Sequence, residues 1–139
     1  MSPEPRAYIL DSGAVLAYLE DEEGGGAVEQ ICRENPGRVF MHAINAGEVF
    51  YFTRRAYDAT VADAVLERVK RIGVAIRDDM DTAFWKDAMC LKADLARISV
   101  ADCFFLAMTR RLNGIGVTTD HHEMDPLVPL NLCTLHFIR

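Results

Sequence analysis

Short apolar runs and longer amphipathic stretches take turns along this chain. Residues 7–10 are apolar and end at Asp11-Ser12, the pattern of a strand running into a helix cap. Helix patterns follow over 13–19 and 27–35, the second stopped by Pro36-Gly37. Between them Gly24-Gly25-Gly26, behind the acidic Glu20-Asp21-Glu22-Glu23, reads as a helix end, a loop and a new helix start. A second strand is expected over 38–41, then an apolar-rich helix over 44–57. The helix over 60–71 is more plainly amphipathic, with Val61, Ala64, Val65 and Val69 on one side. The remaining pattern predicts a strand over 74–77, helices over 82–96 and 100–112, and strands over 115–118 and 133–137. Asn113-Gly114 provides the stop for the last helix.

Strands separated by helices predict an α/β domain with a mainly parallel sheet, one domain over 1–139. In such sheets ligands sit beyond the carboxyl ends of the strands. The residues just after each strand are therefore where chemistry is expected.

Two of them are acids. Asp11 closes the first strand and Asp120 closes the run Ile115-Gly116-Val117-Thr118-Thr119. Either can cap a following helix, since a side-chain oxygen there accepts an orphan N–H. Ser12 could cap in place of Asp11. Two further acids interrupt apolar helix faces. Glu48 shares a face with Ile44, Tyr51, Phe52 and Arg55, and Asp102 shares one with Phe105 and Leu106. A carboxylate so placed needs a cation or a hydrogen-bond donor. Arg55 is one candidate partner for Glu48, and Ser99-Val100-Ala101-Asp102 matches a capping pattern. Glu123 and Asp125 read as solvated or turn residues.

Several carboxylates in one crevice repel one another unless a cation holds them. Hard divalent ions such as Mg²⁺ favour oxygen donors, so acids without His or Cys suit them. Metal held this way can activate water and stabilise the attacking and leaving oxygens of a phosphodiester.

Composition narrows the setting. Half the residues are hydrophobic and 26% are charged, as in ordinary globular proteins. No apolar stretch reaches the ~18–20 residues that span a bilayer. Met1-Ser2-Pro3-Glu4-Pro5-Arg6 lacks the layout of a signal peptide, so the expected location is cytoplasmic, with no membrane association. Cys32, Cys90, Cys103 and Cys133 form no C-x-x-C pair and are expected to be buried free thiols rather than disulfides or a zinc site. The formal charge of −6 argues against an extended nonspecific nucleic-acid binder, but not against an enzyme acting on nucleic acid through a metal-loaded acidic site.

The four acids lie in blocks that together resemble the PIN-domain ribonucleases, in particular the VapC-type toxins of toxin–antitoxin pairs. Tyr8-Ile9-Leu10-Asp11-Ser12-Gly13-Ala14-Val15-Leu16 resembles the opening strand and first acid of that family. Ile44-Asn45-Ala46-Gly47-Glu48-Val49 resembles the second block, Val100-Ala101-Asp102-Cys103-Phe104-Phe105-Leu106-Ala107 the third, and Val117-Thr118-Thr119-Asp120 the fourth. The resemblance covers nearly the whole chain. It implies a three-layer α/β/α sandwich, RNA cleavage dependent on Mg²⁺ or Mn²⁺, a homodimer, and a small antitoxin that blocks the site. Asp11 and Asp102 are then the first choices for direct metal contact, with Glu48 and Asp120 completing the shell.

Supporting roles are expected for Ser12, Thr118 and Thr119 in orienting a carboxylate or a phosphate oxygen, with local backbone bonding as the alternative. Arg54, Arg55, Arg97, Arg110 and Arg111 are candidates for phosphate contacts, with ordinary exposed helix charges as the alternative. Trp85 is expected in the core, and His121-His122 at an exposed helix start rather than on a metal. Two rival functions remain. A haloacid-dehalogenase-like phosphatase needs a second acid two residues after the first, where this chain has Gly13. A catalytically silent PIN-like scaffold that binds a protein or RNA is the other.

Overall fold

The apolar run near the start of the chain becomes β1 (Tyr8–Leu10), the middle strand of a five-stranded sheet. The structure, a computed structural model, describes residues 5–139; residues 1–4, which carry most of the N-terminal signal-peptide reading, lie outside them. After β1 come α1 (Ser12–Leu19), α2 (Gly25–Glu34), β2 (Val39–His42), α3 (Ala43–Ala56), α4 (Ala59–Arg71) and β3 (Val74–Arg77). The second half adds α5 (Thr82–Asp94), α6 (Val100–Arg111), β4 (Ile115–Thr118), α7 (His121–Met124), a 3-10 helix (Asp125–Leu130) and β5 (Thr134–Phe137).

The sheet order is β3-β2-β1-β4-β5, and every neighbouring pair is parallel. From β1 the chain steps outward to β2 and β3, then returns to place β4 on the other side of β1. The β1–β4 junction is thus the point where the winding reverses, with Leu10 opposite Val117. In a sheet of this kind that junction opens a crevice at the strands' carboxyl ends.

Adjacent residues of β1 feed opposite faces, as the two-residue period of a strand requires. Leu10 joins Val15, Val28, Met41, Val49 and Val117 beneath α1–α4. Ile9 joins Phe84, Phe105, Leu106 and Met108 beneath α5 and α6. The result is the three-layer arrangement expected. Gly116 allows α6 to lie close on β4, because a Cβ there would stand 2.8 Å from Cζ of Phe105.

The acidic and glycine run gives the helix end, loop and new helix start expected, with α2 beginning at Gly25 rather than 27; a Cβ there would lie 2.6 Å from the Ala17 carbonyl oxygen, so glycine lets α2 close onto α1. Two expectations need correction. Trp85 is not core. It is 40% exposed, and the neighbouring Phe84 takes the buried position. All four cysteines are free as expected, but only Cys32 and Cys103 are buried, and Cys90 is exposed. Among the described residues no helix is long and apolar enough to cross a membrane.

Candidate active site

Asp11 directly follows β1 at the reversal point and is 3% exposed. It caps α1 itself: its Oδ1 accepts the Ala14 N–H at 2.8 Å, and its Oδ2 accepts the Thr118 hydroxyl at 2.5 Å. Burial pushes its carboxyl up to about 7, against those two hydrogen bonds, and the charges of Asp102 and Asp120 push the same way as burial.

Ser12 does not cap. Its hydroxyl donates to Oε1 of Glu48 at 2.9 Å, joining α1 to α3 across the crevice. Glu48 therefore has a partner other than Arg55, which is exposed.

Asp102 lies in the first turn of α6, half-buried, with the Ser99 hydroxyl capping the helix by accepting the Asp102 N–H at 3.1 Å. Burial raises its carboxyl to about 6, assisted by the charges of Asp120, Glu48 and Glu123 and opposed by the Ser99 hydroxyl. Asp120 caps α7, its Oδ1 accepting the Glu123 N–H at 2.9 Å. Its own N–H donates to the Thr118 hydroxyl oxygen at 3.0 Å. Thr118 thus ties Asp11 to the Asp120 backbone. Thr119 stands over Gly13, with its hydroxyl oxygen 2.7 Å from where a Cβ would be, so the second acid of the phosphatase motif would collide there.

The fold brings all four predicted acids into one electrostatic neighbourhood and adds Glu123, which the sequence suggested was a turn residue. The principal charges acting on Asp11 and Asp102 are other carboxylates. This is a site that would gain from a cation. The donor set, all carboxylate and hydroxyl oxygen, suits a hard divalent ion. As placed, however, no three His, Cys, Asp or Glu side chains among the described residues converge tightly enough to grip one. Asp11 has both oxygens engaged and Glu48 has one, so binding a metal requires these side chains to turn or exchange partners.

Two residues that the pattern did not single out brace the site. Asn45, fully buried one turn before Glu48, donates to the Ala101 carbonyl at 3.2 Å and so couples α3 to the start of α6. His42 is buried between Phe84 and Phe104, ring centroids 5.1 Å from each; its Nδ1 accepts the Ile44 N–H and caps α3. A polar residue on an apolar helix face and a His ending an apolar strand were the available signals.

The cationic candidates separate. Arg111 donates to Asp79 at 3.0 Å and to Asp81, and Arg110 pairs with Asp87 at 3.6 Å, so both candidates already hold carboxylate partners. Arg54, Arg55 and Arg97 are exposed and form no ion pair among the described residues. His121 bonds Asp125 and the Arg139 carbonyl and stacks on Phe137.

The family model described as the PIN domain matches residues 8–125, a span that runs from β1 through α7 and includes all four acids. This chain belongs to the PIN-domain family. No curated protein sequence matches this PIN domain. Solved structures similar to it share the fold at low identity. A DNA-bound VapBC from Salmonella typhimurium is 16% identical, with 97% of this chain and 100% of that chain covered and a TM-score of 0.73. VapBC-1 from nontypeable Haemophilus influenzae is 17% identical over 94% and 97%, TM-score 0.69. VapC20 from Mycobacterium tuberculosis, a toxin that cleaves the sarcin-ricin loop, is 13% identical over 86% and 95%, TM-score 0.65.

Proposed function

We propose that this PIN domain is a divalent-metal-dependent endoribonuclease, the toxin of a type II toxin–antitoxin pair. The observation that carries this reading is the meeting of Asp11, Asp102 and Asp120 at the β1–β4 reversal point, with Glu48 beside Asp102 and their charges mutually opposed. Membership in the family and the shared fold with VapBC toxins support it.

Mg²⁺ or Mn²⁺ bound there supplies positive charge for the phosphodiester and for the water that attacks it. The chain's own part is to position the donors. Thr118 fixes one oxygen of Asp11, Ser12 fixes one of Glu48, and Asp102 keeps only the Ser99 hydroxyl beside it, which leaves its carboxylate the most available of the group. Of the arginine candidates, Arg54, Arg55 and Arg97 are the exposed ones, unpaired among the described residues and suited to hold RNA phosphates. The same reading assigns a small antitoxin as inhibitor, a homodimer as the working form and the cytoplasm as the setting.

The test is cleavage of RNA with Mn²⁺ or Mg²⁺, with and without chelator, by the native chain and by Asp102→Asn. Cleavage should require the metal, and the exchange should reduce it about a thousandfold, the scale of removing one charge-stabilising group. Activity in chelator, or an Asp102→Asn protein as active as the native one, overturns the proposal. Failure of the native chain to cut RNA with either metal would instead favour a silent scaffold, a reading that draws on the engaged oxygens of Asp11.

A further inference from the structure

Beside the acids lies a cavity of about 250 Å³ that the cleavage chemistry does not use. Its walls are apolar, formed by Leu95 and Ile98 from the α5–α6 loop and by Leu127 from the 3-10 helix. Its rim is polar and includes Arg97, His122 and Glu123. The cavity joins the site through α7, since the Glu123 N–H bonds the Asp120 carboxylate at 2.9 Å. The loop wall is held in place: the Lys92 ammonium donates to the carbonyls of Ala96 and Ile98, at 2.9 and 2.6 Å. The same loop ends at Ser99, which caps the helix presenting Asp102. One loop therefore shapes both the acid site and the cavity wall.

We propose that this cavity receives one nucleobase of the RNA, that of a nucleotide flanking the cleaved phosphate. This rests on the ribonuclease reading and deepens it. A base is flat and apolar on its faces and polar at its edge, which fits apolar walls under a polar rim. The volume lies just below the range for drug-sized ligands, about 300–1,000 Å³, and suits a single such group. The polar lining offers a donor in His122 and acceptors in Asp94 and Glu123, which suit the edge of a base, with Arg97 beside them for the adjoining phosphate. A base seated here would set which phosphate reaches Asp102 and Asp120, giving an acidic protein sequence preference without an extended basic surface.

The experiment uses single-stranded RNA oligonucleotides that differ at one nucleotide beside the cleavage point, with an abasic residue placed at each flanking position in turn. Cleavage is compared for the native chain and Ala96→Trp, which fills the cavity from an exposed position. Binding of the same oligonucleotides to chelator-treated protein is followed by fluorescence anisotropy. For the native chain, one abasic position should lower kcat/KM and binding by roughly tenfold, the scale of burying one apolar group. In Ala96→Trp that ratio should fall to within twofold of unity. Partial unfolding would lower both substrates alike and leave the ratio intact. Native cleavage blind to every flanking base overturns the subsite alone, as does a ratio unchanged in Ala96→Trp. Failure of the native chain to cut any RNA overturns the nuclease reading and this proposal with it.

Discussion

Acids gather in two places beyond the strand ends of this sheet, and the fold treats them in opposite ways. At the β1–β4 junction, Asp11 and Asp102 face other carboxylates and are driven up to about 7 and about 6. Beyond β3, Asp79 is gripped by Arg77, whose Nε and Nη2 donate to its two oxygens at 2.9 Å, and by Arg111 at 3.0 Å. Those guanidinium groups, Arg77 first, hold the Asp79 carboxyl well below the usual carboxylate range. Asp81 is likewise lowered by Arg111. The arginines are themselves seated on aromatic rings, Arg111 over Phe84 and Arg77 over Phe40. An acid after a strand is therefore no guide by itself. What separates a structural acid from a functional candidate is whether the fold supplies its cation or leaves that to a ligand.

The sharpest way to break this contrast is to remove one carboxylate charge from each region. Asp102→Asn should lose about a thousandfold in RNA cleavage while keeping its fold, a pairing of results that a structural acid cannot give. Asp79→Asn should do the reverse. It leaves two partly exposed arginines short of a partner and should cost about 1–2 kcal/mol in urea unfolding, with the cleavage rate of the folded protein within about twofold of native. If Asp79→Asn lost activity and kept stability, the assignment of the two regions would be inverted.

How far the sequence reached can be judged from these residues. The alternation of apolar runs was enough for the parallel sheet, and strand ends located Asp11 and Asp120. Helix faces located Glu48 and Asp102, because a charge at an apolar position needs a reason. Partnerships were harder to read. Glu48 is bonded by Ser12, 36 residues away, and Arg111 by Asp79, 32 residues away. Such contacts depend on how α1 crosses α3 and how α6 meets the β3–α5 loop, which no local period encodes. The same limit explains Trp85. In α5 the pattern could not say which of two neighbouring aromatics faces the sheet, and Phe84 does.

Metal should sharpen the comparison next. Ions that bind only the folded chain stabilise it by mass action, by about 2.7 kcal/mol at one hundred times the dissociation constant. Mn²⁺ titrated into the native protein should raise its melting temperature, and Asp79→Asn should show the same rise from a lower start. Asp102→Asn should show little or none. An equal rise in Asp102→Asn would locate the ion elsewhere.

The smallest expected effect is a dependence on pH that only the uncompensated region should show. Asp102 titrates near 6 in the folded chain against an ordinary 3.8, so between those values the folded form keeps a proton that the unfolded form has released. Stability from this group is thus highest in mild acid and falls as pH rises through about 4 to 6. Other groups blur the native curve. Asp11 acts in the same sense up to about 7, while His42, lowered by burial, favours unfolding as pH drops below its ordinary 6.5. Subtracting curves removes them. The stability of chelator-treated Asp102→Asn minus that of the native protein should rise by about 1–2 kcal/mol between pH 4 and pH 8, reduced from the full shift because the carboxylate is partly exposed. The corresponding difference for Asp79→Asn should stay flat over that range, since Asp79 is ionised in the folded form throughout and its unfolded counterpart titrates at the range's lower edge. Saturating Mn²⁺ should abolish the rise for Asp102, because the bound cation then favours the ionised form. A flat difference for Asp102 in chelator would mean that its charge is already compensated, and the electrostatic distinction between the two strand ends would fall.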